Sequence, residues 1–253
     1  MRKAGTRSSR PGRSTTDGQR GREQILRAAA VEFGTRGFDG ATTARIAHAA
    51  GVTQPLVHHH FGSKLGLWEA VLEQLFGELR ALQEGTMRDL QGVDLTTWLR
   101  VLLRQFVLFS ARRPELARII ALEGSSTKGL DRSIERHVRP QLDQLRGLLE
   151  QVVREREVTL SETEIQLMCY VVLGASTHAF RVVGSARRIF GLDLFDVQTQ
   201  QTCADLVVRV LFGALDAVQR EDAEARARAA KDSPSARPRP RARASEDERR
   251  RSR

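Results

Sequence analysis

Residues 41–64 restrict the possible folds more than any other part of the chain. They predict two short helices joined by a glycine turn, because Thr42 is a favourable N-cap and Gly51 supplies the left-handed conformation that ends the first helix. Thr53 is the N-cap predicted for the second helix. Pro55 falls in the first turn of that helix, where its missing N–H costs little. Helices this short are unstable alone in water, so packing against the rest of the chain must hold them.

The second of these helices has an apolar side and a polar side. The residues expected to pack it against its neighbours are Val52, Val57 and Phe61. The opposite side carries Gln54, Pro55, Leu56, His58 and His59. A short helix that is supported on one side and polar on the other is what reading the major groove of duplex DNA requires. The alternative is a helical hairpin whose polar side is only solvated.

Further residues at fixed spacings extend this pattern over about residues 20–68. In the predicted upstream helix and its exit they are Arg22, Ile25, Leu26, Ala28, Ala29, Phe33, Gly37 and Phe38. In the helix pair and the start of the next helix they are Thr42, Thr43, Ile46, Ala47, Ala50, Gly51, Val52, Phe61, Lys64 and Leu67. With these residues, the segment resembles the N-terminal domain of the TetR family of DNA-binding transcriptional regulators.

The resemblance implies a mode of action. The expected protein is a transcriptional regulator, and more specifically a repressor, that binds a pseudo-palindromic operator as a homodimer. Two reading helices would then enter successive major grooves about 34–36 Å apart. A small-molecule effector bound in the C-terminal domain would favour a different spacing and release the DNA. That step requires a ligand with different affinities for the two conformations.

Individual side chains of the helix pair can be given roles on DNA. Gln54 is the predicted base reader, because its amide can pair with adenine through two hydrogen bonds, while Pro55 and Leu56 are expected to meet thymine methyl groups. Phosphate contacts position a protein without reading sequence, and hydroxyl, imidazole and ammonium groups suit them. The whole predicted DNA-binding set is Thr42, Thr43, Thr53, Gln54, Pro55, Leu56, His58, His59, His60 and Lys64.

Two histidines of the second short helix occupy positions where the family usually has other residues. The family usually has Tyr where this chain has His58, and His or Tyr where it has His60. Phosphate contact by a tyrosine hydroxyl therefore becomes contact by an imidazole, whose charge varies near neutral pH. His60 has a second interpretation, as an inward-facing structural hydrogen-bonding group. The triple histidine predicts no metal site, because consecutive helical residues point about 100° apart, and no cofactor is expected.

Helical periodicity covers nearly all of the 253 residues and predicts an all-α protein, with a helix-turn-helix domain joined to a larger helical domain. The predicted organisation is a disordered basic arm at 1–16, a DNA-binding domain at 17–68, a regulatory and dimerisation domain at 69–225 and a disordered basic tail at 226–253. Besides the two short helices, the predicted helices span about 17–35, 64–82, 95–112, 114–124, 130–157, 162–189 and 197–225. Residues 85–94 and 125–129 are predicted loops.

The net charge of +10 belongs to the two ends of the chain. Residues 1–22 hold seven Lys or Arg and one Asp, and residues 226–253 hold eleven Lys or Arg and four acidic residues, so the body between them carries −3. One alternative is therefore a DNA-coating protein that relies on its basic tails and has little sequence preference. Another is a ligand-binding protein with a vestigial reading unit.

The last two predicted helices are apolar on broad faces. They also contain the small residues Gly174, Ala175, Gly184 and Gly213. One buried side cannot accommodate all of that surface, so a second face is expected to meet another subunit. The Phe-Gly-Leu-Asp connector at 190–193 is similar to the loop before the last helix in many TetR members. In that family these two helices pair across a twofold axis as a four-helix bundle, which implies a homodimer here.

A ligand site needs mostly apolar walls with a few polar groups. The candidate set in the C-terminal part is Trp98, Phe106, Phe109, Tyr170, His178 and Arg181, each of which could instead belong to the core or to a subunit interface. His178 and Arg181 need polar partners among their apolar neighbours. An anionic or hydrogen-bonding ligand could supply them, and so could Glu123 or Asp205.

Several classes of protein are not expected. The chain has no G-x-S-x-G, phosphate-cradling glycine loop, C-x-x-C or H-E-x-x-H motif, which argues against an enzyme. No apolar run reaches the roughly 18 residues that would suggest a membrane span, and the basic N-terminus lacks the apolar region of a signal peptide. We therefore expect a cytoplasmic protein in which Cys169 and Cys203 are buried, reduced thiols.

Overall fold

The computed structural model describes residues 13–123 and 131–232, and within them all regular structure is α-helical, as predicted. The helices are α1 (Arg13–Gly40), α2 (Thr43–Ala50), α3 (Gln54–Phe61), α4 (Lys64–Asp89), α5 (Leu95–Arg112), α6 (Pro114–Glu123), α7 (Asp131–Glu155), α8 (Glu162–Arg181), α9 (Val183–Phe190) and α10 (Val197–Asp232). Most of the predicted arm, at 1–12, most of the predicted tail, at 233–253, and the predicted loop at 125–129 lie outside the described residues.

The first four helices share one hydrophobic core. Ile25 and Phe33 lie two turns apart on α1 and are fully buried, as the spacing predicted. They join Ile46 of α2, Val57 of α3 and Trp68 of α4 in a single cluster. The rings of Phe33 and Trp68 meet edge to face with their centroids 4.9 Å apart, a favourable aromatic arrangement. This core holds α2 and α3 in place although each has only eight residues.

Helix α1 is interrupted near its C-terminal end at Gly37. The backbone there has φ 67° and ψ 180°, a conformation almost confined to glycine. Phe38 then returns to the core, with its ring centroid 6.2 Å from that of Phe33 and 5.6 Å from that of Trp68. The helix predicted at 17–35 thus begins four residues earlier, at Arg13, and its regular part ends at the predicted exit glycine.

Helix α4 connects the N-terminal unit to the rest of the protein. Its buried side repeats every four residues, as predicted. The predicted end near residue 82 is wrong, because α4 continues to Asp89, and the loop predicted at 85–94 is confined to 90–94. A glycine within a helix costs only about 1 kcal/mol. After Gly85, the buried Thr86 donates a hydrogen bond to the carbonyl of Leu82, 2.9 Å away, and bonds the side chain of Gln105 on α5.

Four of the remaining helices, α5, α7, α8 and α10, form a second core. Its fully buried residues include Leu99, Val152, Phe212 and Leu215. Helix α8 begins with the predicted capping box, in which the Ser161 hydroxyl and the Glu164 carboxylate bond each other's backbone N–H groups. These hydrogen bonds lower the pKa of the Glu164 carboxyl group.

The single helix predicted at 162–189 is two helices in the structure. Helix α8 ends at Arg181, α9 begins at Val183, and the two differ in direction by 77°. The Val-Val-Gly run at 182–184 has low helix propensity, so the helix breaks there. Beyond the break, Val183 packs on a small core around Phe180 and Leu194. Among the described residues no single helix is long and apolar enough to cross a membrane, and this bent pair meets that test on length and composition alone.

Helix α10 is longer than predicted. It continues to Asp232, seven residues beyond the expected boundary at 225. Two contacts with the α7–α8 connection hold this part: Asp222 accepts a hydrogen bond from the Thr159 N–H at 2.6 Å, and Arg226 pairs with Glu157 at 3.2 Å. The Ala and Arg residues that follow are strong helix formers, so the helix runs on with exposed side chains.

Replacing Gly37 by Ala should destabilise the N-terminal core. An alanine at φ 67°, ψ 180° is strained, and we expect a loss of about 1–3 kcal/mol in the free energy of unfolding, measured by urea denaturation. The control is Gly77→Ala on α4, where an added Cβ meets nothing closer than an Arg80 nitrogen at 3.8 Å. That variant should gain about 0.5–1 kcal/mol. Equal stability of both variants would contradict the account of Gly37.

Candidate nucleic-acid interface

The α2–turn–α3 unit has the predicted local geometry with one exception. The Thr42 hydroxyl accepts a hydrogen bond from the Arg45 N–H at 3.3 Å and caps α2. Gly51 is in the left-handed conformation, and the next residue, Val52, donates its N–H to the carbonyl of Ala47. Thr53 is the N-cap residue of α3, as predicted, with an extended backbone, but its hydroxyl makes no capping hydrogen bond. The Thr53 hydroxyl is therefore exposed beside the reading helix.

Helix α3 is held against α1 by its inner side. Val57 is buried in the N-terminal core. Leu56 and His60 both lie beside Gly21 of α1, where a Cβ would come within 3.9 Å of the Leu56 side chain and 4.0 Å of His60 Nε2. The Arg22 guanidinium lies over the ring of Phe61, 5.3 Å from its centroid. Leu56 therefore faces α1 at least in part, which weakens the expectation that it meets a thymine methyl group.

The outer side of α3 is exposed. Gln54, Pro55, His58 and His59 are all solvent-accessible, as the pattern predicted. The Gln54 amide nitrogen donates a hydrogen bond to the hydroxyl of Thr43 on α2, 3.1 Å away. This contact leaves the amide oxygen and one N–H of Gln54 free for a base edge. The base-reading candidate is thus pre-positioned by the neighbouring helix.

The three histidines of α3 have three different environments. His58 is exposed, and its Nδ1 lies 3.3 Å from the carbonyl oxygen of Gly62 at the end of the helix. The His59 ring is outward-facing and meets that of His60 at 5.5 Å. His60 Nε2 is buried, which supports the inward-facing orientation over a phosphate contact, but this nitrogen has no hydrogen-bond partner, so the expected structural hydrogen bond is not made there. Across the described residues no group of three potential metal ligands comes together.

Lys64 and Arg45 are tied to the exit of α1. Lys64 Nζ donates to the carbonyl of Asp39 at 3.3 Å and lies 4.5 Å from the centroid of the Phe38 ring. Arg45, which the sequence did not single out, pairs with Glu32 at 2.6 Å. No local spacing connects residues so far apart, so only the folded chain identifies this pair. Both cations lie near the reading unit with donors left for phosphate.

The C-terminal candidate residues are not brought together. Phe106 and Phe109 line a narrow apolar cavity among α4–α8, whereas Trp98 is buried elsewhere in the core. Tyr170, His178 and Arg181 are exposed. The cavity is small, with a volume of about 50 Å³. The cavity-lining residues that the sequence did not single out are Phe76, Leu79, Ser110, Arg113, Leu116, Ala117, Ile120, Val138, Gln141, Leu142, Leu173 and Thr177.

One of the two suggested partners of the polar candidates is paired with another residue. Asp205 bonds Arg104 at 2.8 Å, so its carboxylate is already paired within the body. The side chain of Glu123 lies outside the described residues. The two cysteines are unpaired thiols, Cys169 buried and Cys203 half-buried, and burial raises the pKa of both.

An exposed, core-supported reading helix in front of a larger helical domain defines a helix-turn-helix DNA-binding regulator. Residues 25–71 match the family model described as bacterial regulatory proteins, tetR family. These residues therefore form an N-terminal DNA-binding domain of the tetR type, as the sequence pattern predicted.

Relatives and solved structures extend the similarity beyond this domain. The nucleoid occlusion factor SlmA of Vibrio campbellii is 26% identical over 176 residues, which cover 68% of this chain and 85% of that protein. Two structures share the fold. A putative fatty acid metabolism regulator of Clostridium perfringens has a TM-score of 0.61 at 13% identity, covering 74% of this chain and 96% of that one. AibR, in complex with isovaleryl coenzyme A and operator DNA, has a TM-score of 0.56 at 21% identity, covering 76% and 98%.

Lys64→Met should change how DNA binding depends on salt. If Lys64 contacts phosphate, the slope of log K against log salt should flatten by about 0.9 for each contact removed, on any duplex. The control is Arg154→Met, which removes an exposed charge on α7, far along the chain from the reading unit. An unchanged slope together with a lowered melting temperature would show that Lys64 serves only the Asp39 and Phe38 contacts.

Proposed function

We propose that this protein is a sequence-specific transcriptional repressor that binds a pseudo-palindromic operator as a homodimer and is released by a small molecule. The observation that carries the proposal is the outward-facing polar side of α3. On this side the Gln54 amide is hydrogen-bonded to Thr43, and on the opposite side Val57 is buried in the core. Such a helix can present one amide to a base edge in a fixed orientation. The proposed protein binds DNA and catalyses no reaction. We propose that it acts in the cytoplasm, where the DNA is.

The homodimer is supported by an apolar surface on α8 and α10 that is exposed among the residues the structure describes. On α8, Tyr170 is 71% and Val171 62% exposed, and they continue to Gly174 and Ala175 along one stripe. On α10, Val210 is also 62% exposed. A surface of this kind on a soluble monomer is unfavourable, and a second copy that presents the same two helices would cover it.

Val210→Glu should separate the subunits. A glutamate at the centre of an apolar interface leaves an uncompensated buried charge, so the dimer dissociation constant should rise about 100-fold or more, measured by sedimentation equilibrium. The control is Val93→Glu in the α4–α5 loop, a valine that is 40% exposed and lies outside this surface. A wild-type protein that is monomeric at micromolar concentration, or an unaffected Val210→Glu dimer, would contradict the proposed interface.

Release by a ligand is supported by the cavity among α4–α8 and by the neighbouring structures. AibR was solved with isovaleryl coenzyme A and operator DNA, and a Bacillus subtilis FadR of the same fold with stearoyl-CoA. In this chain the cavity reaches α4, the helix that connects the two parts, so an occupant could change the direction of the reading unit. The ligand must bind the two conformations with different affinities for this to happen.

A second candidate function comes from the similarity to the nucleoid occlusion factor. A DNA-bound factor with a role other than transcription would use the same reading helix and the same dimer. It would differ in where its sites lie, and chromosome-wide mapping of bound sites separates the two: promoter-proximal sites support repression, whereas sites spread through genes support the second role.

Gln54→Ala should relax discrimination at one or two base positions in a selection from random duplexes, by about 1–3 kcal/mol each. Thr43→Val keeps the Gln54 amide but removes its anchor, so it should relax the same positions by less. The control is Gln151→Ala, an exposed glutamine on α7. An equal loss on every sequence would argue against base reading, and no preferred duplex for the wild type would refute the proposed function.

A further inference from the structure

The apolar cavity among α4–α8 contains one charged group. Of its described lining residues only Arg113 carries a charge, and the remaining wall is built mainly of aromatic and aliphatic side chains such as Phe76, Phe106 and Phe109. A guanidinium at the edge of an otherwise apolar space favours a ligand that is itself apolar with one anionic end.

Arg113 has hydrogen-bonding capacity left. Its Nε donates to Glu78 Oε2 at 2.6 Å and its Nη2 to Glu78 Oε1 at 2.9 Å. A guanidinium has five N–H groups, so three remain after this bidentate pair. Glu78 has a second donor of its own, the Gln74 amide at 3.0 Å, which can support the carboxylate if Arg113 is shared or drawn away.

Another polar lining residue has one buried atom without a hydrogen-bond partner. Gln141 on α7 contributes to the cavity wall, and its Oε1 is buried with no hydrogen bond. A buried amide oxygen without a partner costs free energy that a donor from a bound molecule would recover. Ser110 and Thr177, the other polar lining residues, already donate to the carbonyls of Phe106 and Leu173 within their own helices.

We propose that the effector is an aliphatic carboxylic acid whose carboxylate binds Arg113 in competition with Glu78. This inference rests on the proposed ligand-released function and names its ligand class. Because the incoming carboxylate has the same charge as Glu78, both cannot hold the guanidinium fully, and binding loosens the tie between α4 and the α5–α6 junction.

The junction that Arg113 occupies also touches the reading domain. Arg113 ends α5 by donating its N–H to the Phe109 carbonyl, and α6 begins at the next residue. Two residues on, Glu115 packs so closely on α1 that a Cβ at Gly34 would lie 3.3 Å from its Cα. A shift of Arg113 towards a ligand would therefore act next to α1 as well as on α4.

The test is calorimetric titration of the full-length protein, without DNA, with octanoate, octan-1-ol and octanoyl-coenzyme A. Octanoate should bind at least about tenfold more tightly than the alcohol, the size expected for a hydrogen bond to a charged group. Arg113→Gln should abolish this preference, and Glu78→Gln should tighten octanoate binding because it removes the competitor. The control is Arg104→Gln, which removes a different arginine of α5, the one that pairs with Asp205. It should leave the preference for octanoate unchanged.

Four results would overturn the proposal. They are equal affinity for octanoate and octan-1-ol, a preference for octanoate that survives Arg113→Gln, binding of octanoyl-coenzyme A in place of octanoate, and failure of all three probes to bind. Because no DNA is present, these outcomes are independent of the operator selection, whose failure would instead refute the proposed function.

Discussion

The burial of one side of α3 is the interaction on which the DNA-binding face depends. An eight-residue helix cannot persist in water by itself, so its order comes from the contacts of Val57 with the α1–α4 core. Burial of a side chain of this size contributes about 1.5–3 kcal/mol. The same contact fixes which side faces outwards, and Gln54 then gains its orientation from Thr43. One side of α3 therefore stabilises the helix, and the other side carries the proposed base reader.

The junction between the two parts of the protein carries the second essential set of contacts. Helix α4 belongs to the N-terminal core through Trp68 and, further along, reaches the cavity through Phe76. The bidentate pair of Glu78 with Arg113 joins this helix to the start of α6, and α6 packs on α1 beside Gly34. The Glu78–Arg113 pair and the packing of Glu115 beside Gly34 are thus two links, close together in sequence, between the reading domain and the C-terminal domain. A change in that arrangement would therefore alter how the reading domain is held.

Local signals in the sequence predicted local structure well. The Thr42 cap, the Gly51 turn and the Ser161–Glu164 capping box depend on residues within a few positions of each other, and all three are present. Predictions of where a helix ends failed when they rested on a single residue and tertiary contacts favoured another boundary. Gly85 did not end α4, because the following Thr86 is held by α5, whereas the weak helix formers around Val182 broke a helix that apolar periodicity had suggested was continuous.

The candidate sites show the same difference between local and tertiary signals. The exposed side of α3 follows from helical spacing, and the structure places Gln54 and His59 on it as expected. The ligand set drawn from composition was scattered, because apolar and aromatic content does not distinguish the wall of a cavity from a subunit interface such as the one Tyr170 suggests. Arg113 and Glu78 are 35 positions apart, and no sequence spacing could have paired them.

The central claim is that two copies of α3 are presented to one side of the duplex, a helical turn apart. Hydroxyl-radical footprinting of the selected operator tests it most directly. The account predicts two protected patches with mirror symmetry, their centres about 10–10.5 base pairs apart. Protection of a single patch, or uniform protection that ignores sequence, would contradict it.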